Sequence, residues 1–237
     1  MNRFVPMVLR HFPTFFQLYC KLCRYARHPE RYGEQEKWDA VHNIMSVALS
    51  GSNVDLTVTG ADYIPAEGGF MLYGNHQGLF DVVAIAATIK RPMAVVYKKE
   101  VSNVPLLKQI YACTNSFAID REDVRQSLQV IQSVTKEVQG GKGYLIFPEG
   151  TRSRKGNEML PFHGGSFRCA IKAKCPIVPV AFIDSFKALD EKGSKRVAVQ
   201  MHYLEPIPYE EFAGMKTVEV AEMVRSRIAQ CLEENIK

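Results

Sequence analysis

Several things are scarce in this chain of 237 residues, and each scarcity closes off a class of protein. Cysteine comes as six scattered residues, at positions 20, 23, 113, 169, 175 and 231. Cys20-Lys21-Leu22-Cys23 is a CxxC, but no second CxxC and no histidine pair at zinc spacing accompany it, and no βαβ pattern frames it as a redox pair. Reduced, buried or half-buried thiols are therefore expected, as in a reducing cytosol, and no metal site. Long apolar runs are missing too. The N-terminal segment lacks the roughly 20 apolar residues that span a bilayer. Its longest uncharged run, Phe12 to Cys20, contains a proline and a glutamine. It also lacks an apolar h-region and a small-residue cleavage site, so no cleaved signal peptide is expected. There is no internal repeat, no low-complexity tract, no Walker or dinucleotide glycine pattern and no GxSxG nucleophile elbow. The formal net charge of +5 is mild, and nucleic acid is not an expected partner.

What is present is enough apolar residue, 46%, for one substantial core with a possible small appendage. Residues 1–50 read as a distinct basic and aromatic helical segment. Arg3, Arg10, Lys21, Arg24, Arg27 and Arg31 stand there against the single acid Glu30 up to residue 31. Phe15, Leu18, Tyr19 and Leu22 fall at helical spacing, and a second helix is expected over about Trp38 to Leu49. Such a helix can pack on the main domain, lie on an anionic membrane surface, or do both.

Residues 51–237 have an α/β texture. Strands are expected at Val54–Val58, Phe70–Tyr73, Met93–Tyr97, Ser116–Ile119, Gly143–Phe147, Ile177–Phe182 and Val197–Tyr203. Helical patterns lie between several of them, at Asp81–Ile89 and Glu122–Val138, and at the end of the chain, Thr217–Asn235. Short, uninterrupted apolar strands alternating with helices predict a mostly parallel sheet covered on both faces.

Two strand ends carry unusual chemistry. "YGNHQGLFD", Tyr73 to Asp81, puts His76 just past one strand and Asp81 in the first turn of the next helix. Ligands of α/β sheets bind outside the carboxyl ends of strands. Asp81 can accept from one imidazole nitrogen and leave the other as a base; it can equally cap the helix, with His76 filling a turn. "YLIFPEGTRSR", Tyr144 to Arg154, then sets an acid, a flexible glycine, a hydroxyl and a guanidinium at a second strand end. "FAIDRED" adds Arg121 after a third. In "CPIVPVAF", Pro176 and Pro179 restrict pairing, and a structural role is expected.

Asn75-His76-x4-Asp81 followed by Phe147-Pro148-Glu149-Gly150-Thr151-Arg152 resembles the glycerolipid acyltransferase family, whose best-known bacterial members are the PlsC-type 1-acyl-sn-glycerol-3-phosphate acyltransferases. The resemblance covers about residues 53–205. "YKKEVSNVPLL" (97–107), "FAIDR" and "PIVPVAF" resemble further stretches of the family. It implies a glycerol-3-phosphate acyltransferase-like fold with a membrane-associating N-terminal segment. His76 would be the general base for the acceptor hydroxyl, oriented by Asp81, and the hydroxyl would attack the thioester directly, without a serine or cysteine nucleophile. Lys99, Arg121, Glu149, Gly150, Thr151 and Arg152 would bind the acceptor, the two arginines gripping its phosphate. Asn75, Gly78 and Gly150 would shape the turn or stabilise the oxyanion. No metal and no cofactor are implied beyond an acyl-CoA or acyl-acyl carrier protein substrate.

The implied reaction forms phosphatidic acid from lysophosphatidic acid at the cytoplasmic face of the cell membrane, with the protein peripheral or monotopic on residues 1–50. The sequence departs from the family at Asn115, Ala118, Lys108 and His163. These departures are expected around the acceptor pocket, so another lysolipid acceptor, such as lyso-ornithine lipid, is the nearest alternative. A non-catalytic lipid-binding homologue and a hydrolase using His76 and Asp81 to activate water are the others.

Overall fold

The computed structural model describes residues 4–193 and 195–236; Arg3 lies outside them. Seven strands form one sheet: β1 Val54–Thr59, β2 Phe70–Gly74, β3 Met93–Lys98, β4 Phe117–Ile119, β5 Gly143–Ile146, β6 Ile177–Ile183 and β7 Val197–Tyr203. All seven lie within a residue or two of their expected positions. The helices are α1 Phe4–Leu9, α2 Phe12–Arg27, α3 Glu34–Gly51, α4 Phe80–Thr88, α5 Leu107–Thr114, α6 Val124–Gln139, α7 Arg168–Ala173, α8 Phe186–Leu189, α9 Tyr209–Phe212 and α10 Thr217–Asn235.

The strand order is β1-β7-β6-β2-β5-β3-β4. Every neighbouring pair is parallel except β6 with β7, which is antiparallel. The expected mostly parallel sheet is what forms. Its uninterrupted apolar strands follow from having two covered faces. Phe70 and Leu72 of β2 join one apolar cluster with Leu145, Val180 and Phe182, under α2 to α5. Met71 and Tyr73 point the other way, to Tyr144, Ile146, Ile177 and Ala181 under α6, α7 and α10. Pro179 sits in a central strand without breaking it. Pairing of β6 with β7 begins at Val180, and the Pro179 carbonyl still accepts from the Leu204 amide at 2.9 Å.

The N-terminal helices are packed on this sheet. Leu22 and Tyr25 of α2 and Trp38, Val41 and Ile44 of α3 belong to the first cluster, and the Trp38 indole donates to the Ile89 carbonyl at 3.1 Å. The outer side of α2 stays exposed at Phe12, Phe16, Cys20, Arg24 and Arg27, one stripe at helical spacing. Among the described residues no helix is long and apolar enough to cross a membrane. All six cysteines are free thiols. Burial pushes the Cys113 thiol up to about 11 and those of Cys169 and Cys175 to about 12.

Helix α5 was not legible as a helix. Pro105 precedes it, and Leu106 enters it with a φ of 72°, which is rare outside glycine. Asn115 ends it at a φ of 54° in the left-handed region. That is where glycine is commonest and asparagine tolerated, so Asn115 serves as the cap that this backbone shape calls for. It lies ahead of β4, on the side away from Arg121. The expectation that this departure borders the acceptor pocket is therefore corrected: it is a helix cap.

Candidate active site

Strands β2, β5, β3 and β4 run side by side in parallel, so their carboxyl ends share one rim. His76 follows β2, the Phe147–Arg152 turn follows β5, Lys99 follows β3 and Arg121 follows β4. β6 is also parallel to β2 and brings Asp184, Ser185 and Asp190 to the same edge. Four motifs separated in sequence meet because of strand order alone.

Past β2 the chain leaves the ladder without losing its pairing. The Asn75 side chain replaces a backbone partner: its Nδ2 donates to the Phe182 carbonyl at 2.9 Å, and its Oδ1 accepts from the Phe182 amide at 2.8 Å. His76 is then pinned by its backbone to the β5 turn. Its amide donates to Glu149 Oε1 at 2.7 Å, and its carbonyl accepts from the Ser153 amide at 2.9 Å. The imidazole stacks on Phe147, ring centres 4.0 Å apart and planes 16° from parallel.

His76 Nδ1 lies 2.7 Å from Asp81 Oδ2. The same oxygen accepts from the Gln77 and Gly78 amides at 2.8 and 3.0 Å. Asp81 is wholly buried, and its other oxygen, Oδ1, accepts from the Ser185 hydroxyl. An oxygen already receiving two amide protons acts as a carboxylate acceptor toward the ring, so Nδ1 carries the proton and Nε2 its lone pair. The ring is 19% exposed, and Nε2 has no protein partner among the described residues. No serine, threonine or cysteine side chain bonds it there either. The pair can take a proton from a bound hydroxyl at Nε2, and among the described residues no nucleophilic side chain is bonded to that nitrogen.

Glu149 is turned inward. Its oxygens accept from the His76 and Leu160 amides, at 2.7 and 2.9 Å, and burial raises its pKa. Its position makes it a strut between two loops, in place of the substrate contact the resemblance implied. Gly150 takes a φ of 76°, donates its amide to the Phe147 carbonyl at 3.0 Å, and gives its own carbonyl to Arg121. The Asn75 side-chain amide and the backbone amides of Gly78 and Gly150 each bond a protein acceptor, and these three residues build turns. Arg152 is ion-paired with Asp190, whose other oxygen accepts from the Leu79 amide at 3.0 Å. Asp190 also explains Gly78: a Cβ there would lie 2.4 Å from Asp190 Oδ2 and 3.1 Å from Phe186 Cα. Lys99 pairs with Asp120 at 3.1 Å. Thr151 is exposed on the rim. His76 is bonded to both Asp81 and Glu149; Arg121 is bonded to Gly150, and Asp190 ties Arg152 to the Leu79 amide, while Lys99 pairs with Asp120.

Sequence reasoning missed Gln77, Phe147 as a stacking partner, Ser185 and Asp190. Phe147 had a visible signal, an aromatic residue directly before the FPEGTR proline. Ser185 and Asp190 had none, since they reach the site from beyond β6.

A family model described as acyltransferase matches residues 55–183, a little over half of the chain. The chain belongs to the acyltransferase family. The match spans the His76–Asp81 pair, Arg121 and the FPEGTR turn. The 1-acyl-sn-glycerol-3-phosphate acyltransferase of Salmonella typhimurium is 30% identical over 70% of this chain and 68% of its own length. The enzyme of that name from Saccharomyces cerevisiae is 28% identical over 81% of this chain and 64% of its own. The crystal structure of the 1-acyl-sn-glycerophosphate acyltransferase PlsC from Thermotoga maritima shares the fold, with a TM-score of 0.72 at 20% identity over 96% of this chain and 98% of that one. The protein is therefore an acyltransferase.

Proposed function

We propose that this acyltransferase moves a fatty acyl group from acyl-CoA or acyl-acyl carrier protein to the sn-2 hydroxyl of 1-acyl-glycerol-3-phosphate, forming phosphatidic acid for phospholipid synthesis. One observation carries the mechanism: an imidazole whose Nδ1 is held by a buried carboxylate while Nε2 has no partner among the described residues. The relatives' names support the acceptor.

The acceptor hydroxyl gives its proton to His76 Nε2 as its oxygen attacks the thioester carbonyl. Asp81 stabilises the imidazolium that forms, and Phe147 holds the ring plane. The tetrahedral adduct collapses, the carbon–sulfur bond breaks, and the imidazolium returns its proton to the leaving thiolate. Proton and electron pairs balance without a metal or added cofactor. Arg121, Arg152 and Lys99 surround the rim with positive charge suited to the acceptor phosphate. Arg152 exchanges Asp190 for that phosphate.

The outer stripe of α2, apolar at Phe12 and Phe16 and basic at Arg24 and Arg27, suits an anionic membrane surface, and Val5, Leu9 and Arg10 extend it. We place the protein as a peripheral or monotopic enzyme at the cytoplasmic face of the cell membrane, with its N-terminal helices against the lipid.

The test uses purified protein, a labelled acyl donor and a panel of lysolipids. Lysophosphatidic acid is expected to be the best acceptor. If it proves the poorest, with a lyso-ornithine lipid preferred, the acceptor assignment falls. His76→Ala is expected to lose roughly two or more orders of magnitude in rate while melting like the parent. Unchanged transfer would remove His76 from the mechanism. Free fatty acid released without acceptor would point to a hydrolase.

A further inference from the structure

We infer that Ser185 is a positioning residue for the acyl transfer: its hydroxyl holds Asp81, and through Asp81 it sets the His76 base. This rests on the reading of His76 as the base. Ser185 lies two residues past the end of β6 and beyond the segment that the family model matches, 55–183.

The argument begins with the lone pairs of Asp81. Oδ2 receives three donors, His76 Nδ1 and the Gln77 and Gly78 amides. Oδ1 receives one, the Ser185 hydroxyl. No part of the carboxylate meets solvent, so without Ser185 one of its oxygens would be buried with no donor. An unsatisfied buried acceptor is costly, and more so when it carries charge.

The hydroxyl has two acceptors in reach and only one proton. Gln77 Oε1 lies 3.0 Å away. That oxygen is already satisfied by the Ser185 amide at 2.9 Å, so the hydroxyl proton goes to Asp81 and leaves nothing unpaired. Gln77 is fixed in turn: its Nε2 donates to the Phe182 carbonyl and to Asn157 Oδ1, each at 2.8 Å. The Ser185 hydroxyl is thereby aimed from both of its neighbours, and the unit that orients the base is the relay Gln77–Ser185–Asp81–His76.

The chemistry follows. Drawing charge toward Oδ1 tempers the pull of Oδ2 on the ring. Removing that donor concentrates negative charge opposite His76 and favours the imidazolium, which is no longer a base. The other ionisable groups near the pair are Glu149 on the β5 turn, Arg152 with Asp190, and Asp184, which pairs with Lys187. None of them bonds Asp81 Oδ1.

The experiment compares Ser185→Ala, Ser185→Thr and His76→Ala as full chains, with pH profiles of transfer to lysophosphatidic acid and thermal melts. For Ser185→Ala, kcat should fall about tenfold, the size of a lost hydrogen bond to a charged group. KM for both substrates should hold, and the acid limb of the profile should move to higher pH. Ser185→Thr, which keeps the hydroxyl, should restore both. A profile of Ser185→Ala that overlays the parent, or a lower kcat with an unmoved acid limb, overturns the proposal and leaves only a packing role. If Ser185→Ala does not fold, Ser185→Cys takes its place, its weak S–H donor predicting a smaller shift in the same direction; an unmoved limb there overturns the proposal equally. An active His76→Ala would instead sink the reading on which this rests. An inactive His76→Ala beside a parent-like Ser185→Ala sinks the Ser185 proposal alone.

Discussion

Asp81 and Lys99 sit on the same rim and are built in opposite ways. Asp81 is wholly buried under four donors drawn from three backbone or side-chain neighbours on its own turn and one hydroxyl across the sheet. Lys99 is 67% exposed and has one partner, Asp120. The arginines fall between: Arg121 bonds a carbonyl, and Arg152, 28% exposed, bonds one carboxylate. The base is held by a satisfied, low-dielectric network, whereas the cations are held by contacts that a ligand can replace. Proton transfer demands fixed geometry before the acceptor arrives. Gripping a phosphate tolerates side chains that exchange one anion for another. Substitutions on the two sides should therefore fail differently, the buried side in kcat and the exposed side in KM.

The sharpest break is Asp81→Asn. The amide can keep its oxygen toward His76 and turn its nitrogen toward the Ser185 oxygen, so the fold should survive. The charge that stabilises the imidazolium is lost, and kcat should drop about 100-fold with KM little changed. Steady-state kinetics beside a thermal melt decide it; a rise in KM alone would place Asp81 with the binding residues.

Glu149→Gln comes next, because it tests the strut that joins the two sides. Burial raises the Glu149 pKa. The folded state therefore binds this proton more readily than the unfolded chain, and the stability so gained is full below the ordinary glutamate value and lost as pH rises through the raised one. Glutamine does not titrate, and it can accept from only one of the two amides that Glu149 satisfies, a loss of about 1–3 kcal/mol. The Tm advantage of the parent over the variant should be greatest at acid pH and shrink toward neutrality. A difference flat with pH would mean Glu149 is not held in a burial-disfavoured charged state.

How much of this was open in the sequence divides along the same line. All seven strands were legible, because short apolar runs bounded by turn residues have one comfortable place in a two-faced sheet. The His76–Asp81 pair was legible because both halves lie on one turn. The donors that complete it were not. Ser185 reaches Asp81 from 104 residues away, and only the parallel pairing of β2 with β6 makes them neighbours. The role of Glu149 was misread for the same reason: a carboxylate in a polar turn looks like a ligand contact until the amides of His76 and Leu160 are seen to occupy it. Asp190 left no local trace, although it occupies the space that Gly78 leaves open and holds Arg152.

Arg152→Ala should raise the KM for lysophosphatidic acid about tenfold and leave kcat within a few-fold. Part of that cost is indirect. Truncation leaves Asp190 without its cation on a rim where a phosphate must bind, and like charges repel. Arg152→Ala with Asp190→Asn should then bind the acceptor better than Arg152→Ala alone. Equal KM values for the two would show that Asp190 does not face the acceptor path.

The smallest effect is expected at Lys99. An exposed ion pair such as Lys99–Asp120 is screened by solvent and salt and adds little to a fold. Lys99→Ala should melt with the parent. Its ammonium can still act at a distance on an anionic acceptor, by raising the local concentration of negative charge at the rim. Such an effect weakens as salt screens it, whereas a bidentate arginine contact persists. KM for lysophosphatidic acid should therefore rise less than about threefold at low salt, and the difference from the parent should vanish in high salt. The Arg152→Ala defect should remain there. If the Lys99→Ala defect survives high salt undiminished, Lys99 makes a direct contact with the bound phosphate and belongs with Arg152.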